Sequence, residues 1–334
     1  MLTLPNLDAM YPKVQAQIPP VEWAALKPLI EKIWRLKAER KAVILAHNYQ
    51  TPEIYYGVAD FTGDSLALAQ QAATAQAEVI VMAGVHFMAE TSKILNPQAT
   101  VLIPDERAGC SLAESITGED VRRLRAQYPG VPVVTYVNTS AEVKAESDIC
   151  CTSGNALKVV ESLGVERVIF IPDQYLAANV QRELQAKGSS IEIITHPGSC
   201  MVHEQFTPAD LRELRVLHPG VTLVAHPECP PEVVDEADMS GSTAGMVDFI
   251  RREQPRKVAL ITECSMSDNL VAQFPATEFV RPCNLCPHMK RITLEKIARS
   301  LETLQVPVEI DPALAQRARQ AVERMLAVGR QEGK

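Results

Sequence analysis

Four short, unbroken apolar runs set the architecture: Val43-Ile44-Leu45-Ala46, Val79-Ile80-Val81-Met82, Val168-Ile169-Phe170-Ile171 and Val258-Ala259-Leu260-Ile261. Runs of this length, continuous rather than alternating, suit a parallel strand covered on both faces. Between them, residues 65–74 and 245–252 read as helical segments. The pattern therefore predicts strands alternating with helices, an α/β fold of doubly wound parallel sheets. Residues 21–41 alternate apolar and charged positions at helical spacing and predict a helix leading into the first strand. Residues 311–328 read as a closing helix, 329–334 as a frayed end, and the proline-rich segment 1–20 as an extended arm.

The same landmarks return three times, and such periodicity decides an architecture before any local reading does. First strands end in His47-Asn48-Tyr49, Tyr136-Val137-Asn138 and His226-Pro227-Glu228, offset by 89 and 90 residues. Second elements read Ala59-Asp60…Ser65, Ser147-Asp148…Ser153 and Ala237-Asp238…Thr243, offset by 88 and 90. Third strands begin at Val79, Val168 and Val258; fourth strands cover 100–104, 191–195 and 277–280, with Cys110, Cys200 and Cys286 following. Seven residues past each cysteine stands Thr117, Thr207 or Thr293. Asp120 and Asp210 complete a capping-box pattern after the first two, and those helices run to Pro129-Gly130 and Pro219-Gly220. The spacing predicts three units related by pseudo-threefold symmetry: 1–126 with the arm, 127–216, and 217–334 with the closing helix. Right-handed crossovers put the loops after each strand on one sheet edge, where open α/β sheets bind ligands.

Composition narrows the chemistry. With 334 residues, 46% of them hydrophobic, the chain can bury a large core. A formal charge of −8 and the lack of a basic run argue against a nucleic-acid partner. No apolar stretch reaches membrane-span length and residues 1–11 lack the features of a signal peptide, so a cytoplasmic protein is expected. Eight cysteines in such a chain read as metal ligands or buried thiols rather than a disulfide framework.

The loop residues at the expected edge are His47, Tyr49, Tyr136, Asn138, His226 and Glu228, and the helix openings carry Ser65, Ser153 and Thr243. One Gly-Ser-Thr is ordinarily an N-cap; recurrence at one repeat position gives anion binding equal weight. Histidine, tyrosine and glutamate together suit proton movement about a carbonyl. His203, three residues past Cys200, reads either as facing a metal or as capping a helix, and His86, His218 and His288 as structural or surface residues. Cys150, Cys151, Cys229 and Cys264 read as buried thiols. Cys283 and Cys286 form a CxxC pair; symmetry selects Cys286 and leaves Cys283 as a neighbour able to pair with it on oxidation. Thiols on three equivalent loops make a three-thiolate metal site with one open position. Spacing alone leaves zinc and a four-iron cluster both standing.

These residues, taken together, carry a resemblance. His47-Asn48-Tyr49-Gln50, Gly63-Asp64-Ser65, Gly109-Cys110-Ser111-Leu112-Ala113, Tyr136-Val137-Asn138 and Thr152-Ser153-Gly154-Asn155 occur in order with Pro197-Gly198-Ser199-Cys200, His226-Pro227-Glu228-Cys229, Gly241-Ser242-Thr243 and Cys286-Pro287-His288-Met289. The ordered set, spanning roughly 42–289, resembles the quinolinate synthase family. The resemblance implies three pseudo-symmetric α/β domains around a [4Fe-4S] cluster held by Cys110, Cys200 and Cys286, the set that the repeat selects independently. It implies condensation of iminosuccinate with dihydroxyacetone phosphate to quinolinate, with loss of phosphate and water, in NAD biosynthesis. It implies substrate-binding roles for His47, Ser65, Tyr136, Asn138, Ser153, His226, Glu228 and Thr243, with Tyr49 assisting. On chemical grounds Glu228 is expected to be the principal base, with His226, Tyr49 and Tyr136 as its catalytic companions and His47 and Tyr136 orienting carboxylates. An aspartate oxidase is the expected functional partner as the source of iminosuccinate. Some relatives carry a longer cysteine run near the third ligand, which this chain lacks. Two other classes compete: a zinc-thiolate enzyme acting on a phosphosugar, and a redox sensor with a labile cluster, the latter disfavoured by the acidic composition.

Overall fold

The computed structural model describes residues 5–329, and among them twelve strands form three four-stranded sheets. The first holds β1 (Ala42–His47), β2 (Phe61–Gly63), β3 (Val79–Ala83) and β4 (Thr100–Leu102). The second holds β5 (Val133–Tyr136), β6 (Ile149–Cys151), β7 (Arg167–Ile171) and β8 (Glu192–Thr195). The third holds β9 (Thr222–Ala225), β10 (Met239–Ser240), β11 (Lys257–Ile261) and β12 (Glu278–Val280). Each has the order second–first–third–fourth with every pairing parallel, so the three doubly wound units are real and topologically identical. The apolar runs of the sequence are the central strands β1, β3, β7 and β11. Edge strands β2, β4, β8 and β12 are partly exposed and mostly short, which is why they left weaker marks.

The repeated aspartate of the second element has a structural task. Asp60 Oδ2 accepts the Ile44 N–H at 2.7 Å, Asp148 Oδ2 that of Val133 at 2.7 Å, and Asp238 Oδ2 that of Leu223 at 2.8 Å. Each therefore satisfies a backbone donor near the start of a unit's first strand. Each is also paired with a cation from the preceding helix: Lys37 at 2.8 Å, Arg125 at 2.7 Å and Arg215 at 3.1 Å. Thr117 with Asp120, and Thr207 with Asp210, form full capping boxes, whereas Thr293 caps alone because Lys296 stands where the others have aspartate. Gly130 and Gly220, at φ 79° and 77°, take the left-handed turns after the two capped helices.

Two expectations change. The arm is not extended: Asn6 accepts the Asp8 and Ala9 N–H groups and starts a turn of helix over Leu7–Met10, followed by Tyr11–Lys13. Leu7, Val14 and Ile18 are buried, so apolar contact draws the arm onto the body. The leading helix runs Pro20–Glu39, close to its expected span. In the second unit the helix begins at Ala156 with Asn155 at its cap, later than Thr152-Ser153-Gly154 suggested. Apart from Gly329, the end expected to fray lies outside the described residues.

The closing helix, Pro312–Val328, follows the third unit in sequence but packs on β6 and the helix Ala141–Ala145 of the second. The helix Leu294–Thr303 likewise returns to the first unit, against β3 and the helix Pro20–Glu39. The first sheet, one face of the second and these two helices share one continuous core; a separate layer around Val133, Ile169 and Ile171 covers the other face of the second sheet, and the third has separate layers on both faces.

Candidate active site

The carboxyl ends of β1, β5 and β9 open into one cavity of about 70 Å³. Residues after the first strands line it: His47, Tyr49, Tyr136, Asn138, His226 and Glu228. So do the helix-opening hydroxyls Ser65 and Thr243, Ser153 in the turn before the second unit's helix, and the thiols Cys110, Cys200 and Cys286. The topology brings together all twelve residues nominated from sequence. His288, read from sequence as structural or surface, also lines the cavity, because it belongs to the loop that carries Cys286.

The three thiols share a local design. Cys110 Sγ takes hydrogen bonds from the Leu112 and Ala113 N–H groups, Cys200 Sγ from Val202 and His203, and Cys286 Sγ from His288 and Met289. Each thus opens a turn whose free amides point at sulfur, which favours thiolate. Burial works the other way: it pushes the Cys110 thiol up to about 12, Cys200 well above its ordinary range, and Cys286 upward. Metal binding here must displace protons. The loops lock to one another, since Ser111 Oγ donates to Ser199 O and accepts from Met201 N, both at 3.1 Å. Gly198 permits close approach: an added Cβ would lie 2.6 Å from Pro172 O.

Spacing bears on which metal centre these residues could hold. Two thiolates on one tetrahedral zinc stand about 3.8 Å apart, from a Zn–S distance of about 2.3 Å. The described residues contain a compact group, Cys200, His203 and Glu228, whose ligand atoms lie within 4.8 Å of one another; the three cavity thiols do not meet that spacing. A polynuclear centre, with sulfur ligands spread over several metals, fits three converging but separated thiols.

Beside the thiols runs a buried acid–base network. Tyr136 OH donates to Glu228 Oε1. His203 Nδ1 stands 2.6 Å from Glu228 Oε2 and 3.2 Å from Cys200 Sγ. Its Nε2 lies 2.8 Å from Thr262 Oγ1, which in turn is 2.7 Å from Tyr49 OH. An unbroken chain therefore links Tyr49, Thr262, His203, Glu228 and Tyr136. Burial lowers His47 to about 4 and His226 to about 3, so both are neutral at pH 7. Burial opposes the Glu228 carboxylate, but His226, His203 and Tyr136 outweigh it and hold the group below the ordinary carboxylate range. With His226 neutral, the hydrogen bonds from His203 and Tyr136 carry that effect. Burial, then the charge of Glu228, raises both Tyr49 and Tyr136 well above the usual phenol value.

Thr243 Oγ1 accepts from Asn48 Nδ2 at 2.9 Å, tying the first unit to the third. Asn138 Oδ1 is buried without a hydrogen-bond partner, an acceptor left for a ligand. Sequence reasoning missed Thr262 outright and left His203 undecided. Neither recurs: the matching positions are Gly84 and Pro172 for Thr262, and Ala113 and Met289 for His203. Cys150, Cys151, Cys229 and Cys264 are buried, while Cys283 is exposed.

Comparison with known proteins matches residues 31–327 to the family model described as "Quinolinate synthetase A protein". The chain is 65% identical to "Quinolinate synthase 2" of Mesorhizobium japonicum, over 97% of this chain and 98% of that one. It is 63% identical to "Quinolinate synthase" of Agrobacterium fabrum, over 96% and 91% of the two chains. It is 62% identical to that of Xylella fastidiosa, over 90% and 87%.

Proposed function

Because the chain belongs to the quinolinate synthase family, we propose that it condenses iminosuccinate with dihydroxyacetone phosphate to quinolinate, releasing phosphate and water, in NAD biosynthesis. Cys110, Cys200 and Cys286 would hold a [4Fe-4S] cluster. When bound through three thiolates, such a cluster supplies an iron open to substrate, a Lewis acid.

The observation that carries the reading is the convergence of three amide-stabilised thiols and one continuous proton relay on a single cavity. The substrates bring two carboxylates and a phosphate. Ser65 and Thr243 at helix openings and Ser153 in the turn before a helix, with neutral His47 and His226, suit those groups as hydrogen-bonding partners. Coupling and dehydration require protons to leave carbon and reach oxygen. Glu228, ionised at pH 7, is the base, and Tyr136 on its Oε1 and His203 on its Oε2 orient it. Tyr49, held by Thr262, can donate a proton and recover it through His203. Iminosuccinate calls for an aspartate-oxidising enzyme as supplier.

The test is an anaerobic assay for quinolinate from the two substrates. Wild-type protein is expected to form it with about four irons per chain, and Cys200→Ala to lose both iron and product. Glu228→Gln is expected to keep the iron and lose about 100-fold or more in turnover. The zinc alternative draws on the compact Cys200, His203 and Glu228 group; colourless protein carrying zinc and turning over phosphosugars would establish it instead.

A further inference from the structure

The three units differ at one buried place. At the position four past each cysteine stand Glu114, Glu204 and Lys290; beyond each third strand stand Val85, Asp173 and Glu263. Each of these latter residues adjoins a backbone tie to its cysteine loop: His86 N to Ala108 O at 2.7 Å, Gln174 N to Gly198 O at 2.9 Å, Cys264 N to Asn284 O at 3.3 Å. Only the third unit has opposite charges on the two sides of that tie.

Glu263 is fully buried. Its Oε1, which has no well-aligned hydrogen bond, stands 2.9 Å from the Lys290 ammonium, and its Oε2 accepts the Ser265 N–H at 2.9 Å. The Cys286 N–H also stabilises this carboxylate. Lys290 Nζ donates at 2.7 Å to Ser265 Oγ and at 2.7 Å to the carbonyl oxygen of Tyr49. The Lys290 N–H closes the turn on Cys286 O at 3.2 Å. One ion pair thus joins the turn that presents Cys286, the end of β11 beside Thr262, and the backbone of Tyr49.

We infer that Glu263 and Lys290 are a positioning pair, fixing the third cysteine ligand and the Tyr49 loop to one another through a buried charge contact that the other two units lack. The inference rests on Cys286 being a metal ligand, as proposed above. The first two cysteine loops need no such pair, because Ser111 ties them directly together. The Cys286 loop spans irregular chain between β12 and Met289 and has no equivalent hydroxyl clamp among the hydrogen bonds described. Removing Lys290 would leave both a buried carboxylate and the Tyr49 carbonyl without their cation.

The test is the rate at which a ferrous chelator bleaches the cluster of anaerobic holoprotein, read beside the electron paramagnetic resonance spectrum of the reduced form. Lys290→Met is expected to speed cluster loss about 10- to 100-fold, the range for partners of metal ligands, and to shift the spectrum; Lys290→Arg should restore most of both. Glu263→Gln with Lys290→Met removes both charges, so it avoids an unpaired buried ion and is expected to fold while still losing its cluster fast. Wild-type rates and spectra in the double variant would overturn the inference. If wild-type protein takes up no cluster, the proposed function fails instead. Hydrogen exchange over residues 281–290 then decides the pair: faster exchange in Lys290→Met supports it and unchanged exchange refutes it.

Discussion

His203 and His226 stack with ring centroids 4.5 Å apart and planes inclined by 21°, and the Nδ1 atoms of both face the same oxygen of Glu228, at 2.6 and 3.7 Å. One carboxylate oxygen thereby organises two imidazoles, while its twin takes the Tyr136 hydroxyl. A stack of two imidazolium rings would repel, so the arrangement requires His226 in its neutral form, where burial already holds it.

Stability should fall in acid for this reason. His47 and His226 titrate near 6.5 when unfolded, but only at about 4 and about 3 in the fold. Between those limits the unfolded chain binds more protons, so stability is lost as pH drops from 6.5. Glu228, depressed below its ordinary value, adds loss in the same direction below about pH 4.5. The shift of His47 alone is worth about 3 kcal/mol. Urea unfolding at pH 7 and pH 5 should show this decline, and a His226→Asn variant should show a shallower one. A pH-independent midpoint would contradict the buried, neutral assignment.

Thr262 is expected to matter for turnover more than for stability. Replacing it by valine cuts the link between Tyr49 and His203 without changing side-chain shape much. We expect kcat to fall by about 10- to 100-fold at unchanged iron content, with Thr262→Ser close to wild type. Equal activity in the valine variant would remove the relay from the mechanism.

Asp148 predicts the opposite. Asp148→Ala orphans the Val133 N–H and takes the carboxylate from Arg125, which keeps its hydrogen bond to Glu146 O, at the end of the strand opposite the cavity. The expected cost is about 1–3 kcal/mol of unfolding free energy, with kcat retained. The change at Asp238 should match it, whereas that at Asp60 should cost more because it strands the buried Lys37 ammonium, which equilibrium unfolding of the three variants would check.

Cys283 contacts a thiol other than its CxxC neighbour. It neighbours Cys264, whose thiol is pushed up to about 12 by burial and then by Cys283, and whose backbone N–H is tied to Asn284 O at 3.3 Å. Treatment with dilute hydrogen peroxide should form the Cys264–Cys283 disulfide, each thiol giving up one hydrogen as the peroxide is reduced to two waters. Peptide mapping without reductant would identify the link; a Cys283–Cys286 product would count against the contact.

What the sequence disclosed follows the symmetry. The strands, the aspartates, the capping threonines and the three cavity cysteines recur because each unit must solve the same folding problem, and recurrence made them visible. His203, Thr262, Glu263 and Lys290 each occur in one unit only, so no internal comparison could single them out. Their roles arise from contacts between units, such as Thr262 with Tyr49, some 213 residues apart in the chain. The arm was misread because proline content suggested extension, while Leu7, Val14 and Ile18 found a surface on which to pack. Scaffold was legible through repetition, and much of the chemistry resides in departures from it.

The helix Pro312–Val328 buries Ala318, Ala321, Val322 and Met325 against other parts of the chain, with its chief contacts in the second unit. During synthesis on the ribosome, that unit's greasy flank must wait until residues near 328 have emerged. Vectorial, wing-by-wing maturation is therefore closed to this polypeptide, and the interval before the last helix docks is when a chaperone has most to shield.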